Sequence, residues 1–256
     1  MPRMPAIFVS HGAPPALEDA AWMAEWRAWG LALPRPRAVL VVSAHWEERP
    51  VTIGATRTLP LVYDFYGFPE RYYTFQWPAP GAPELADRVR ALARAAGVAV
   101  ADDPERGLDH GVYVPFAAMW PEADVPVLQV SIPSLDPRAL LDMGRWLAPL
   151  RDEGVLVAGS GFMTHNLRML GTPGVAAWAR EFDDWATRTL AAGDLDALAD
   201  FDRKAPAARI AHPRTEHFVP LLIAAAAAPG EAATFPVTGF AWGPFSKRSV
   251  QFGGVS

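Results

Sequence analysis

Apolar residues occur along this chain in two patterns. Short, mostly apolar runs at residues 6–9, 38–42, 125–130 and 155–158 are rich in Val, Leu and Ile and carry almost no polar positions. A strand buried on both faces has no solvent side to alternate with, so runs of this kind predict strands of a parallel sheet. Between them, residues 17–33, 84–96, 137–150 and 175–190 repeat apolar positions at helical spacing, and Gly97 and Gly154 end the second and third. Alternation of the two patterns predicts an α/β fold with a mainly parallel central sheet flanked by helices. Pro and Gly fall between the runs, as in Pro78-Ala79-Pro80-Gly81, and no repeat or low-complexity linker divides the chain, so residues 1–256 read as one domain.

Composition narrows the function classes. A chain of 256 residues buries roughly three quarters of its unfolded surface and needs no covalent staples. The net charge is −5, with no basic block, which leaves nothing to track a nucleic-acid backbone. There is no Cys, so disulfides, thiolate metal sites and cysteine nucleophiles are excluded, and any metal must rest on His, Asp or Glu. The longest apolar stretch, residues 218–228, is interrupted by Pro220. A membrane-spanning helix needs about 20 apolar residues, so this stretch predicts a core helix and no membrane partner. Near the N-terminus the apolar run 7–9 leads directly into Ser10-His11-Gly12; it is too short for a secretory signal, and a cytoplasmic location is expected.

The six histidines carry the chemical signal. His11 follows the first apolar run and His45 the second; His165 follows the fourth across Ala158-Gly159-Ser160-Gly161, read as a flexible link. In open α/β sheets ligands bind beyond the carboxyl ends of the strands, so three strands would deliver three imidazoles into one crevice, as a metal site requires. The plainer alternative for each is a satisfied loop histidine. Asp109-His110-Gly111 follows the polar stretch 102–106 and predicts a loop histidine with an adjacent carboxylate, a candidate for proton transfer. The segment His212-Pro213-Arg214-Thr215-Glu216-His217 opens the apolar helix, and Thr215 or Glu216 could cap that helix. Its spacing is not that of the His-Glu-x-x-His zinc proteases. The glycines beside Ser160 do not form a Gly-x-Ser-x-Gly elbow, and no glycine-rich nucleotide loop is present.

Six motifs together carry a resemblance. They are Ser10-His11-Gly12-Ala13-Pro14-Pro15, the run from Pro36 to Trp46, Asp64-Phe65-Tyr66-Gly67-Phe68-Pro69, Asp109-His110-Gly111, the segment from Gly159 to Leu167, and the segment from Glu216 to Leu222. In this order the chain resembles the class III extradiol ring-cleavage dioxygenases, and within them the branch of the DOPA 4,5-dioxygenases. The resemblance implies one α/β domain, one Fe(II) or Zn(II) per chain, and opening of a catechol-type ring by O₂. It implies His11, His45 and His217 as metal ligands, with His165 as acid/base and His110 as a second pocket histidine. Distant members use a glutamate as third ligand, which draws attention to Glu216.

The chemistry suits this set. A face of three histidines leaves open positions on Fe(II) for a catecholate and O₂ side by side, and a neutral imidazole can take and return a hydroxyl proton. Trp46, Tyr63, Phe65, Tyr66 and Phe68 would supply an aromatic wall, with plain core packing as the alternative. Two other functions fit the same histidines: a zinc hydrolase that activates water at an open position, and a non-catalytic metal or small-molecule binding module.

Overall fold

The structure, a computed structural model, is described from Arg3 to Gly254. Among the described residues there are ten strands and nine α-helices. The strands are β1 (Ala6–Ser10), β2 (Ala38–Glu47), β3 (Val51–Ile53), β4 (Val100–Asp102), β5 (Val127–Ile132), β6 (Val155–Gly161), β7 (Ala233–Val237), β8 (Phe240–Ala241), β9 (Phe245–Ser246) and β10 (Ser249–Phe252). The helices are α1 (Ala20–Ala32), α2 (Pro83–Ala95), α3 (His110–Met119), α4 (Pro137–Leu147), α5 (Ala177–Ala191), the short α6 (Leu195–Ala199), α7 (Phe201–Lys204) and α8 (Ala208–Ala211), and α9 (Pro220–Ala227).

Eight strands form one sheet in the order β4-β3-β5-β2-β6-β1-β10-β7. Its centre, β5-β2-β6-β1, is parallel throughout, while β10 and β7 add an antiparallel edge. Residues of the central strands point alternately to the two faces. Ala6, Phe8, Leu40, Val42 and Val157 pack with residues of α2, α4, α5 and α9. Ile7, Val9, Val39, Val41, Leu156 and Ala158 pack with α1 and α3 on the other side. Helices on both faces explain why these strands are apolar at nearly every position. Every residue of α9 is buried, as expected of a core helix, and no described helix is long and apolar enough to cross a membrane.

Four expectations need correction. Residues 158–161 are not a flexible link: they complete β6, paired with β1 from Ala6↔Val157 to Ser10↔Gly161. His110 is not on a loop but is the first residue of α3. His45 lies inside β2, two residues before its end, rather than past it. The first helix also starts at Ala20, where Asp19 accepts from the Ala21 and Trp22 N–H groups, and residues 14–18 form a separate 3₁₀ turn behind Pro14 and Pro15.

Candidate metal centre

Five of the six histidines meet at the carboxyl end of the central strands. His11 leaves β1 with its N–H bonded to the Gly161 carbonyl at 3.0 Å. His45 projects from β2, and His165 follows β6, its N–H on the Ala211 carbonyl at 2.9 Å. His217 comes from the segment before α9, which lies flat on β6: the Phe162 N–H donates to the His217 carbonyl at 2.8 Å. A side chain at Gly161 would overlap that carbonyl oxygen, so glycine is what lets His217 approach. Ring centroids of His11, His45 and His217 form a triangle with sides of 4.9, 4.9 and 5.4 Å. His110 lies 3.9 Å from His45 and 5.4 Å from His11, also between centroids. His165 stacks on His217 at 3.5 Å with the rings nearly parallel.

The hydrogen bonds behind these rings set which nitrogen faces inward. Pro115 sits inside α3 and has no N–H to offer the Gly111 carbonyl one turn back. That carbonyl instead accepts from the Ser160 hydroxyl, which leaves the Ser160 oxygen to accept from Nδ1 of His11 at 2.9 Å. Nδ1 of His217 donates to Glu216 Oε1 at 2.8 Å, and Nδ1 of His45 lies 3.3 Å from Asp64 Oδ2. With hydrogens assigned to the three Nδ1 atoms by these partners, all three Nε2 atoms carry lone pairs. Nε2 of His11 and of His45 stand 3.1 Å apart, and Nε2 of His217 is buried without any partner. Facing lone pairs with no hydrogen between them repel, and a cation resolves the conflict. The donor set therefore fits a metal ion, with Ser160, Asp64 and Glu216 as the outer groups that orient ligating imidazoles.

Electrostatics agree. Burial, reinforced by the neighbouring histidines, holds His11, His45 and His217 well below the usual histidine range, so their nitrogens are free of acid protons at neutral pH. Burial, with His212 and His110 nearby, lowers His165 to about 3. Glu216 is pushed up by burial; it stands behind His217 on the Nδ1 side, and its Oε2 has only Arg214 for company, at 3.5 Å. The cluster offers two groups of donor atoms that share no residue, His11-His45-His110 and His165-Glu216-His217, and the set implied by the resemblance, His11, His45 and His217, draws on both.

Other expectations fared unevenly. His212 stays out of the cluster, with Nε2 against the Met163 carbonyl at 3.0 Å and its ring among Phe182, Phe201 and Phe218. Neither Thr215 nor Glu216 caps α9 through its side chain; the N-cap is Val219. Of the five aromatics expected as a wall, only Phe65 reaches the cluster, edge-on to His110 at 5.8 Å. Tyr66 is 93% exposed, Trp46 lies beneath Arg106, and Tyr63 and Phe68 pack on Phe65. Phe162 and Phe245, which the sequence did not single out, flank His165 at 6.1 and 5.8 Å.

Asp64 is a side chain in contact with the cluster that sequence reasoning passed over. The Val62 N–H bonds to the Leu108 carbonyl at 2.9 Å, and a short parallel bridge pairs Val62 with Asp109, which lays Asp64 beside His110. Asp109 itself turns away into a buried network with Ser43, Arg106 and Gln129. The only signal for Asp64 was a carboxylate within an aromatic-rich motif.

Comparison with known proteins places this arrangement in a family. Residues 2–253 match the catalytic LigB subunit of aromatic ring-opening dioxygenase, and the chain belongs to that family. It is an aromatic ring-opening dioxygenase. The chain is 43% identical over 233 residues to a 4,5-DOPA dioxygenase extradiol of Beta vulgaris, covering 87% of this chain and 86% of the relative. It is 40% identical over 262 residues to a protein of the same description in Escherichia coli K12, covering 98% and 95%. The crystal structure of an uncharacterized Escherichia coli K12 protein, JW3007, superposes with a TM-score of 0.83 at 37% identity, over 98% of this chain and 100% of that one.

Proposed function

We propose that this dioxygenase opens the ring of a 3,4-dihydroxyphenyl compound beside its paired hydroxyls, with DOPA as the first substrate to test, as the descriptions of its relatives suggest. His11, His45 and His217 hold one Fe(II), and Zn(II) fills the same donors without supporting turnover. The observation that carries this reading is the meeting of the His11 and His45 Nε2 atoms at 3.1 Å, with the His217 ring centroid 5.4 and 4.9 Å from theirs and its Nε2 buried without a partner. Bound there, Fe(II) supplies open positions for the catechol oxygens and O₂ and the redox chemistry that O₂ requires.

The chain's own residues supply the proton handling. His165, lowered to about 3, is a neutral base at physiological pH and takes the proton of one catechol hydroxyl, returning it when the ring opens. Its stacking on His217 keeps it beside the ligand set. His110, fixed through Nδ1 by Asp64 at 2.6 Å, offers its other nitrogen to bound oxygen or substrate. Phe65, Phe162 and Phe245 flank the cluster and give the aromatic ring an apolar surround.

The test is anaerobic reconstitution with Fe(II), then addition of DOPA and ¹⁸O₂. One O₂ consumed per ring and two labelled atoms in a yellow ring-opened product are expected. No O₂ uptake with DOPA or any other catechol, together with zinc-supported ester hydrolysis, would overturn the proposal.

A further inference from the structure

One carboxylate serves two histidines of the cluster. Asp64 Oδ1 lies 2.6 Å from Nδ1 of His110 and 3.3 Å from that residue's backbone N–H. Its other oxygen, Oδ2, lies 3.3 Å from Nδ1 of His45. The Asp64 side chain is 19% exposed, and the loop that carries it is tied down on both sides: Val62 pairs with the strand-like approach to α3, and the Tyr63 hydroxyl donates to the Phe75 carbonyl at 2.8 Å. Each of the three inward-facing histidines thus has its own oxygen behind it. Ser160 serves His11 and Glu216 serves His217, but the group behind His45 is the only one of the three that also grips a further pocket histidine.

A neutral imidazole binds a metal through whichever nitrogen lacks hydrogen, and the partner of the other nitrogen decides which that is. We propose that Asp64 is a positioning residue with two simultaneous tasks: it keeps the hydrogen of His45 on Nδ1, so that Nε2 faces the metal, and it holds the His110 ring in place through the opposite oxygen. This deepens the reading above and rests on His45 being a ligand. The two rings, 3.9 Å apart, are then set by one side chain. Charge is needed as well as shape, because only an ionised carboxylate accepts from two N–H groups with separate oxygens. Asparagine has nearly the same size but offers one acceptor and one donor, so it can satisfy only one of the two histidines as they stand.

The experiment compares the parent protein with Asp64→Asn, Asp64→Ala and His45→Ala, each checked for fold by circular dichroism. Imidazole tautomers are read in the metal-free proteins by long-range ¹H–¹⁵N correlation at about pH 8, above the ordinary histidine range. Zn²⁺ affinity is read by chelator competition. We expect the parent to show His45 and His110 with hydrogen on Nδ1. Asp64→Asn should move one of them to the Nε2–H tautomer, and both Asp64 variants should bind Zn²⁺ about 10 to 100-fold more weakly, the usual effect of losing such a partner. Parent-like tautomers and Zn²⁺ affinity within twofold in folded Asp64 variants would overturn the proposal. So would hydrogen on Nε2 of His45 in the parent itself, a result that needs no variant to fold. If His45→Ala keeps full Zn²⁺ affinity, it is the ligand assignment that fails; if it loses the metal while the Asp64 variants do not, Asp64 alone is wrongly placed.

Discussion

The two ends of the central sheet treat buried ionisable groups in opposite ways. Near its amino end lies Arg151, with a side chain 1% exposed. Its Nε donates to the Met4 carbonyl at 2.7 Å, Nη1 to the Ala227 carbonyl and to Glu231, and Nη2 to the other Glu231 oxygen. A buried charge is tolerable when it is paired and its donors are used, and this one ties the N-terminal segment, α9 and the chain before β7 together. At the carboxyl end, five imidazoles crowd together, with the Nε2 lone pairs of His11 and His45 turned toward each other and His217 Nε2 left alone. The first arrangement has its donors satisfied by the protein itself; the second leaves donors that a cation would satisfy. At these two ends, satisfaction of polar groups tells the arrangements apart where burial does not.

The largest effect expected from breaking this contrast is at the proposed ligands. His11→Ala or His217→Ala should abolish activity and bound metal while leaving the metal-free protein as stable as the parent, since the deleted ring relieves lone-pair crowding. One equivalent of metal held at parental affinity would remove the distinction between the two ends. His165→Ala comes next: turnover should fall about 10² to 10⁴-fold, the usual loss for a general base, with metal content and substrate binding retained. A matching loss of metal would make His165 a ligand instead.

On the other side of the comparison, Arg151→Ala should cost about 3 to 5 kcal/mol in urea unfolding, because Glu231 and two carbonyls lose their donors together. A cost below about 1 kcal/mol would mean the network is dispensable. The smallest effect sharpens the comparison through pH. Burial lowers His212 to about 4 in the folded chain, whereas it titrates near about 6.5 when unfolded. Its folded pKa is depressed, so its contribution is present above about 6.5 and is lost as pH falls toward about 4, to a limit of about 3 kcal/mol. Measured as unfolding free energy of metal-free protein against pH, His212→Gln should flatten this acid-side decline; an unchanged slope would show that His212 is not a source of it.

Much of this architecture is legible along the chain because its driving force is local to each run. The four runs at residues 6–9, 38–42, 125–130 and 155–158 are apolar on both faces, and the structure makes them the parallel centre β1, β2, β5 and β6. The antiparallel edge of β7 and β10 was not visible. Residues 233–237 read Ala-Thr-Phe-Pro-Val and are half exposed, a weak signal for any strand. Helix α3 was hidden for a different reason: Gly111, Val112, Val114 and Pro115 all disfavour a helix, and only burial on every side makes those residues helical.

The candidate site divides in the same way. The sequence by itself determined that imidazoles follow the carboxyl ends of three apolar runs, because strand direction and residue order fix where such side chains emerge. It also determined that glycine and serine lie beside them. Which oxygen stands behind each ring was decided only in three dimensions. Ser160 can serve His11 because Pro115, far along the chain, leaves the Gly111 carbonyl free. Asp64 reaches His45 and His110 because Val62 pairs beside Asp109. Helical and strand periodicities report the neighbours a residue has within its own element; contacts between residues tens of positions apart follow from packing, and these are what orient the histidines.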